Sequence, residues 1–166
     1  MSDSARFRGV DPFGHEVEGE VVGSIDRGAL LLVGVEVGDT VIDAEATARK
    51  VAALRFFPGR TPMDLTLAEV GGSCLVVSQF TLLASLRKGN RPGFDRAEAP
   101  EPAARLVDVV VSALRSAGLT VATGRFGADM QVALVNDGPV TFVLEVHGGR
   151  VTSLTGPSAP DVATET

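Results

Sequence analysis

The chain has 166 residues, 45% of them apolar and 22% charged, and a formal net charge of −6. That size and balance suit one folded domain and exclude a fibrous repeat or wholesale disorder. The longest apolar stretch, Ala29–Val37, is broken by Gly34 and Glu36, whereas a spanning helix needs ~20 such residues. Met1-Ser-Asp-Ser opens no charged-then-apolar leader, so the expectation is a soluble, cytoplasmic protein without a membrane partner. A single cysteine, Cys74, excludes an internal disulfide and points to a reducing compartment. His15 and His147 lie 132 positions apart, which leaves clustered zinc sites without ligands; no metal or cofactor is expected.

In chain order, residues 1–14 contain Gly9, Pro12 and Gly14 and read as a weakly structured head. Val17–Ile25 and Ala29–Val37 read as strands. Asp39 or Thr40 can cap a helix running through Phe56, with Val41, Ala44, Ala48, Val51 and Leu54 on one stripe and Pro58-Gly59 as its stop. Leu65–Leu67 and Leu75–Phe80 are further strands, and the unbroken Leu75-Val76-Val77 predicts a central strand buried on both faces. A second helix is expected from about Pro102 to Ala117, turning Leu106, Val109, Val110, Ala113 and Leu114 inward, with Gly118 as a left-handed cap. Leu119–Thr123, Met130–Val135 and Val140–Val146 complete the strands, and the segment from Gly156 reads as a disordered tail. These elements predict a mixed α/β (α+β) domain over residues 1–154 with a flexible tail at 155–166. The sheet or barrel is expected to be largely antiparallel or mixed, with two main helices, rather than a doubly wound parallel sheet.

Common catalytic devices are missing: there is no Gly-x-Ser-x-Gly elbow, no Gly-Lys-Ser/Thr phosphate loop and no His-Glu-x-x-His. A triad would have to use His15 or His147, both in weakly determined segments, although such a base must be rigidly oriented. Cys74 has no neighbouring base and reads as an inert core thiol. What remains is polar residues at the ends of apolar runs. Ser78-Gln79-Phe80-Thr81 follows the buried strand, where α/β domains tend to place ligand sites; the plainer reading is a strand end satisfying its own backbone. Asn136-Asp137-Gly138-Pro139-Val140-Thr141 is an ordinary hairpin turn signal, unusual only in that Pro139 opens a strand without an N–H.

Charge is unevenly spread. Residues 1–45 hold ten acids against three arginines, and residues 46–166 hold twelve bases against eleven acids. Arg87, Lys88, Arg91 and Arg96 face only Asp95 in a short stretch. A solvated loop is the bland reading; a grip on one end of a polyanion is the functional one.

Together, Ser78-Gln79-Phe80-Thr81-Leu82, Arg87-Lys88-Gly89-Asn90-Arg91-Pro92-Gly93-Phe94, Gly124–Val132 and Asn136–Thr141 resemble, in order and spacing, the bacterial form of the D-aminoacyl-tRNA deacylase family. The resemblance spans roughly residues 16–145. It implies a homodimeric proofreading hydrolase that acts on the aminoacylated 3′ end of tRNA and not on DNA, releasing a D-amino acid or glycine from the terminal adenosine. It further implies that Gly138 and Pro139 form a Gly-cisPro pair reaching into the partner's pocket, whose wall is Ser78, Gln79, Phe80 and Thr81. Arg87, Lys88, Arg91, Met130 and Asn136 are the implied substrate- and tRNA-binding residues. Catalysis is implied to be assisted by the substrate's own 2′-hydroxyl, with Phe80 and Thr81 backbone groups stabilising the oxyanion and the Thr81 hydroxyl as the alternative nucleophile. Rigid carbonyls at Gly138 and Pro139 would exclude an L side chain and could not exclude glycine.

The chain departs from that pattern in three places. Arg6–Gly14 makes a poor first strand, with Arg8 about one position off the expected register, Asp64 stands where asparagine is usual, and Gly93 replaces a serine. Two alternatives accompany the resemblance: a trans Gly-Pro paralogue that removes mischarged L-alanine, and a dimer that binds the tRNA end without turnover.

Overall fold

The computed structural model describes residues 5–10, 16–87 and 89–155. In chain order these form β1 (Ala5–Val10), β2 (Glu16–Ile25), β3 (Gly28–Val33), α1 (Val41–Ala53), β4 (Arg55–Phe57), β5 (Leu65–Thr66) and β6 (Ser73–Ser78). A 3-10 turn (Phe80–Leu83), α2 (Pro100–Ser116), β7 (Thr120–Thr123), β8 (Asp129–Ala133), β9 (Val143–His147) and β10 (Arg150–Thr155) follow. The architecture is mixed α/β with two helices, as the sequence predicts.

Its centre is β6, paired in parallel with β3 on one side and β7 on the other. The unbroken apolar run is explained by what covers each face. Cys74 and Val76 turn toward the helices, joining Ala44, Ala48 and Val51 of α1 and Ala103, Val107, Val110, Val111 and Leu114 of α2. Leu75 and Val77 turn the other way and meet Ile25, Val22 and Met130. That second layer is the antiparallel sheet β2-β1-β8. Helices, parallel sheet and antiparallel sheet thus form three layers, with polar strand ends emerging between them.

Thr40 caps α1, and Asp43 closes a reciprocal box by accepting from the Thr40 N–H (2.9 Å) and hydroxyl (2.7 Å). The helix ends at Ala53 rather than Phe56. Leu54 is already extended (φ −70°, ψ 131°), because Arg55–Phe57 pairs with β5 and buries Phe57. Val41 stays exposed on the expected stripe, and on α2 the fully buried positions include Val107 and Val111, with Leu106, Val109 and Ala113 only partly covered. Pro100 opens α2, two residues earlier than expected, and Gly118 (φ +85°) closes it as predicted.

Other expectations change as well. Arg6–Val10, a poor strand by composition, is β1, because it is zipped between β2 and β8 and needs no face of its own choosing. The remaining head positions, 1–4 and 11–15, and the tail from 156 lie outside the described residues. β3 stops at Val33, and β6 stops at Ser78, leaving Phe80 in the 3-10 turn. Asn136–Thr141 is not a hairpin: β8 pairs with β1, while β9 pairs with β10. The segment therefore connects two different sheets, and β10 is a strand that composition did not announce.

Candidate active site

Ser78 ends β6 half-buried, and the Gln79 N–H donates to the Val33 carbonyl at 2.8 Å, the last tie to β3. Beyond it the chain tightens into the 3-10 turn, whose first N–H groups have no acceptor inside the turn. Those groups belong to Phe80 and Thr81. The Gln79 side-chain amide donates to the Thr81 hydroxyl, fixing both over the strand end. Phe80 is 57% exposed and packs edge-on against Phe94 at 4.9 Å between ring centroids.

That aromatic pair joins the strand end to the basic loop. Ser85 and Gly93 exchange backbone hydrogen bonds of 2.7 and 2.9 Å, which close the loop's neck. Gly93, the departure from the usual serine, sits at this neck. Arg87 and Arg91 are exposed and make no ion pair with Asp95 or Glu98; Lys88 lies outside the described residues. Arg96 is different: it grips Glu36 with two bonds of 2.7 and 3.0 Å, and this contact holds the Glu36 carboxyl below its usual range. Arg96 anchors the loop rather than offering charge to a ligand.

A cavity of about 160 Å3 lies between the ends of β6 and β7 and α2, lined on the strand side by Val76, Ser78, Thr123, Gly124 and Phe126 and on the helix side by residues that include Asp108. Phe126 and Thr123 were not singled out from sequence as site residues. Phe126 lies inside the Gly124–Val132 segment that carries the family resemblance, while the only signal for Thr123 was position, at the end of the strand next to β6, where ligand crevices form. A larger groove of about 380 Å3 between α1 and α2 contains none of the singled-out residues.

Met130 faces the core, against Ile25, Leu75 and Val77, so it supports the wall rather than standing free. Asn136 donates to the Thr141 hydroxyl at 3.1 Å and closes the exposed loop on itself. Within one chain no hydrogen bond joins that loop to Ser78–Thr81. No peptide bond between described residues is cis, so Gly138–Pro139 is trans, against the implied cis pair. In a single chain this loop meets no outside constraint, and the ordinary trans preference of about 0.5–1 kcal/mol prevails. Gly138 is not in the left-handed region either; a Cβ there would run into the Val140 backbone nitrogen.

Cys74 is fully buried, and desolvation pushes its thiol up to about 11, which makes it inert as a nucleophile. His147 lies 3.8 Å from Glu36 and 3.9 Å from Asp39 and is no partner for Thr81. Among the described residues no His/Cys/Asp/Glu group could hold a metal, and no helix is long and apolar enough to cross a membrane.

A buried parallel strand thus ends in polar groups beside a cavity and a basic loop, the kind of strand end at which α/β domains form ligand crevices. The model of the D-Tyr-tRNA(Tyr) deacylase family matches residues 14–145, and the chain belongs to that family of hydrolases. A relative from Pelobacter propionicus named D-aminoacyl-tRNA deacylase is 55% identical over 130 residues, covering 78% of this chain and 90% of the relative. Another with that name, from Heliobacterium modesticaldum, is 51% identical over 81% of this chain and 90% of its own. Among solved structures, a c-Myc DNA unwinding element binding protein aligns with TM-score 0.68 and 32% identity, covering 84% of this chain and 95% of that one. A probable eukaryotic D-amino acid tRNA deacylase, at 16% identity, shares the fold with TM-score 0.63 over 83% of this chain and 96% of its own.

Proposed function

We propose that the chain hydrolyses the ester between a D-amino acid, or glycine, and the terminal adenosine of tRNA, acting as a cytoplasmic homodimer. The observation that carries this reading is the 55% identity to relatives named for that activity across 78% of the chain. An aminoacyl ester is already activated, so the site's task is orientation and charge stabilisation. The free N–H groups opening the 3-10 turn at Phe80 and Thr81 suit a developing oxyanion. The substrate's 2′-hydroxyl supplies the activation that no side chain here supplies. Thr81 has a hydroxyl but no proton acceptor beside it, since its near neighbour Gln79 is an amide. In this reading Phe126 at the cavity beside Ser78 takes the terminal base, and Arg87, Lys88 and Arg91 take phosphates of the acceptor end.

In this reading chirality is sensed by the carbonyls of Gly138 and Pro139, offered by the partner subunit to the Ser78–Thr81 wall. The Gly138–Pro139 bond is trans in the single chain, and a pair that stays trans in the dimer would fit a second reading, removal of mischarged L-alanine. Purified protein incubated with D-tyrosyl-, L-tyrosyl-, glycyl- and L-alanyl-tRNA separates them. Release of D-tyrosine and glycine with L-tyrosine retained supports the first; release of L-alanine with D-tyrosine retained supports the second. Binding of tRNA without any release would leave only an end-binding dimer. A D-tyrosyl substrate ending in 2′-deoxyadenosine and charged on its 3′ oxygen should react far more slowly; rapid hydrolysis would return the nucleophile's role to Thr81.

A further inference from the structure

The family match ends at residue 145, inside β9. The end of β9 and all of β10 lie beyond it, yet they are built into the fold. β10 runs antiparallel to β9 from Arg150 opposite His147 to Thr155 opposite Val143. At the tip of this hairpin the Gly149 N–H donates to Asp43 Oδ1 at 2.8 Å, a contact between residues 106 apart in sequence. Asp43 is only 6% exposed, the one buried charged side chain among the described residues. Its other oxygen takes the Thr40 N–H and hydroxyl. The carboxylate is thus shared between the α1 cap and the hairpin, and these donors hold its pKa below the ordinary aspartate range.

Gly149 is fitted to this contact. Its φ of +74° is one that other residues resist, and a Cβ there would meet Ile42 Cγ2 at 2.6 Å. Next to it, His147 lies 3.8 Å from Glu36 and 3.9 Å from Asp39. Glu36 is the residue held by Arg96 at the foot of the basic loop. On the other side, Phe142, just before β9, packs edge-on against Phe56 at 6.5 Å, and Leu144 lies on the helix-side core. β9 is therefore tied down along its length, and it starts four positions after Pro139.

We propose that this terminal hairpin is a positioning clasp: the Asp43–Gly149 contact fixes β9 against α1 and thereby sets where the Gly138–Pro139 turn is held. Without it the turn would hang on β8, its own Asn136–Thr141 bond and the apolar contacts of Phe142 and Leu144. Through Glu36 and Arg96 the same anchor point also borders the basic loop, so turn and loop share one base on the α1 N-terminus. The residues concerned touch no substrate; they act through the turn. The inference rests on the functional reading above in assigning selectivity to that turn.

The test uses the full chain carrying Gly149→Ala, which strains the backbone and pushes on Ile42, and separately Asp43→Asn, which leaves one of the shared donors facing an amide NH2. Ile42 is exposed, so Ile42→Ala added to Gly149→Ala relieves the steric part and should restore much of the loss. Amide hydrogen exchange over residues 136–147 should quicken in Gly149→Ala, and this readout needs no activity. For hydrolysis, the ratio of kcat/KM for D- over L-tyrosyl-tRNA should fall on the order of tenfold, short of the ~100-fold that a full 1 Å misplacement can cost. KM for the D substrate should stay near the wild-type value. Unchanged exchange across 136–147 would overturn the clasp whatever the enzyme's substrate. An unchanged D/L ratio in a variant that merely melts earlier would reduce the hairpin to a structural brace. If the wild-type chain hydrolyses no D-aminoacyl-tRNA, the functional reading fails, and the exchange result alone decides the clasp.

Discussion

Gly138 and Asp43 have opposite surroundings, and their substitutions should differ accordingly. Gly138 sits in an exposed loop in an ordinary backbone region, and the obstacle to a side chain is the Val140 nitrogen rather than its φ. Gly138→Ala should displace the turn and abolish most D-aminoacyl-tRNA hydrolysis while moving the thermal midpoint little, as single-turnover assays and calorimetry would show; wild-type rates would place substrate elsewhere. Asp43 is buried with all its donors in place. Its folded pKa lies below the unfolded value of about 3.8, chiefly through the Gly149 and Thr40 hydrogen bonds. Its contribution is therefore complete above that unfolded value and disappears as pH falls through the lower folded one. Urea melts from pH 6 down to pH 2 should show an acid-side loss of stability that is shallower in Asp43→Asn, because the variant no longer has a carboxylate there to protonate. Equal acid slopes for the two proteins would remove Asp43 from that role.

At the scale of elements, the basic loop is a separable unit. Its neck is closed by the Ser85–Gly93 pair and its base by Arg96–Glu36, so the charges on its tip are not needed to hold its shape. Neutralising Arg87, Lys88 and Arg91 together should weaken tRNA binding and flatten the logarithmic salt dependence of affinity by about 0.7–0.9 per lost phosphate contact. It should leave D/L discrimination and the melting midpoint alone, because Arg87 and Arg91 pair with no acid among the described residues. Retained affinity and salt slope, measured by filter binding, would mean that tRNA is held elsewhere. The loop also shows what patterning misses: the charges were legible as a cluster, but the neck that closes the loop depends on two residues of no special composition.

For the whole molecule, the expectation is a dimer. Leu134 and Val135, leading into the Gly138–Pro139 loop, are 48% and 68% exposed, and Val132 is 37% exposed. An apolar run of this kind beside a loop that makes no hydrogen bond to its own chain's Ser78–Thr81 suits a partner's surface. Sedimentation equilibrium should give twice the monomer mass at micromolar concentration, with activity lost on dilution below the dissociation constant. A stable, active monomer would contradict both the dimer and a turn acting on the partner's site.

What the sequence determined by itself was local: a cap at Asp39 or Thr40, of which the fold uses Thr40, the glycine stop at Gly118, and the doubly buried β6 with its unbroken apolar run. The segments Ser78–Thr81, Arg87–Phe94 and Asn136–Thr141 were likewise legible, because their polar residues interrupt apolar runs and their order matches a known family. Tertiary structure decided the rest. It ended α1 three residues early, since pairing with β5 gains more for Arg55–Phe57 than another helical turn does. It made a strand of the unpromising Arg6–Val10 by zipping it between two neighbours. It denied Asn136–Thr141 its hairpin by sending β8 to β1 and β9 to β10. Strand partners and peptide isomers depend on contacts between residues far apart in the chain, such as Asp43 and Gly149, and no local pattern encodes those contacts.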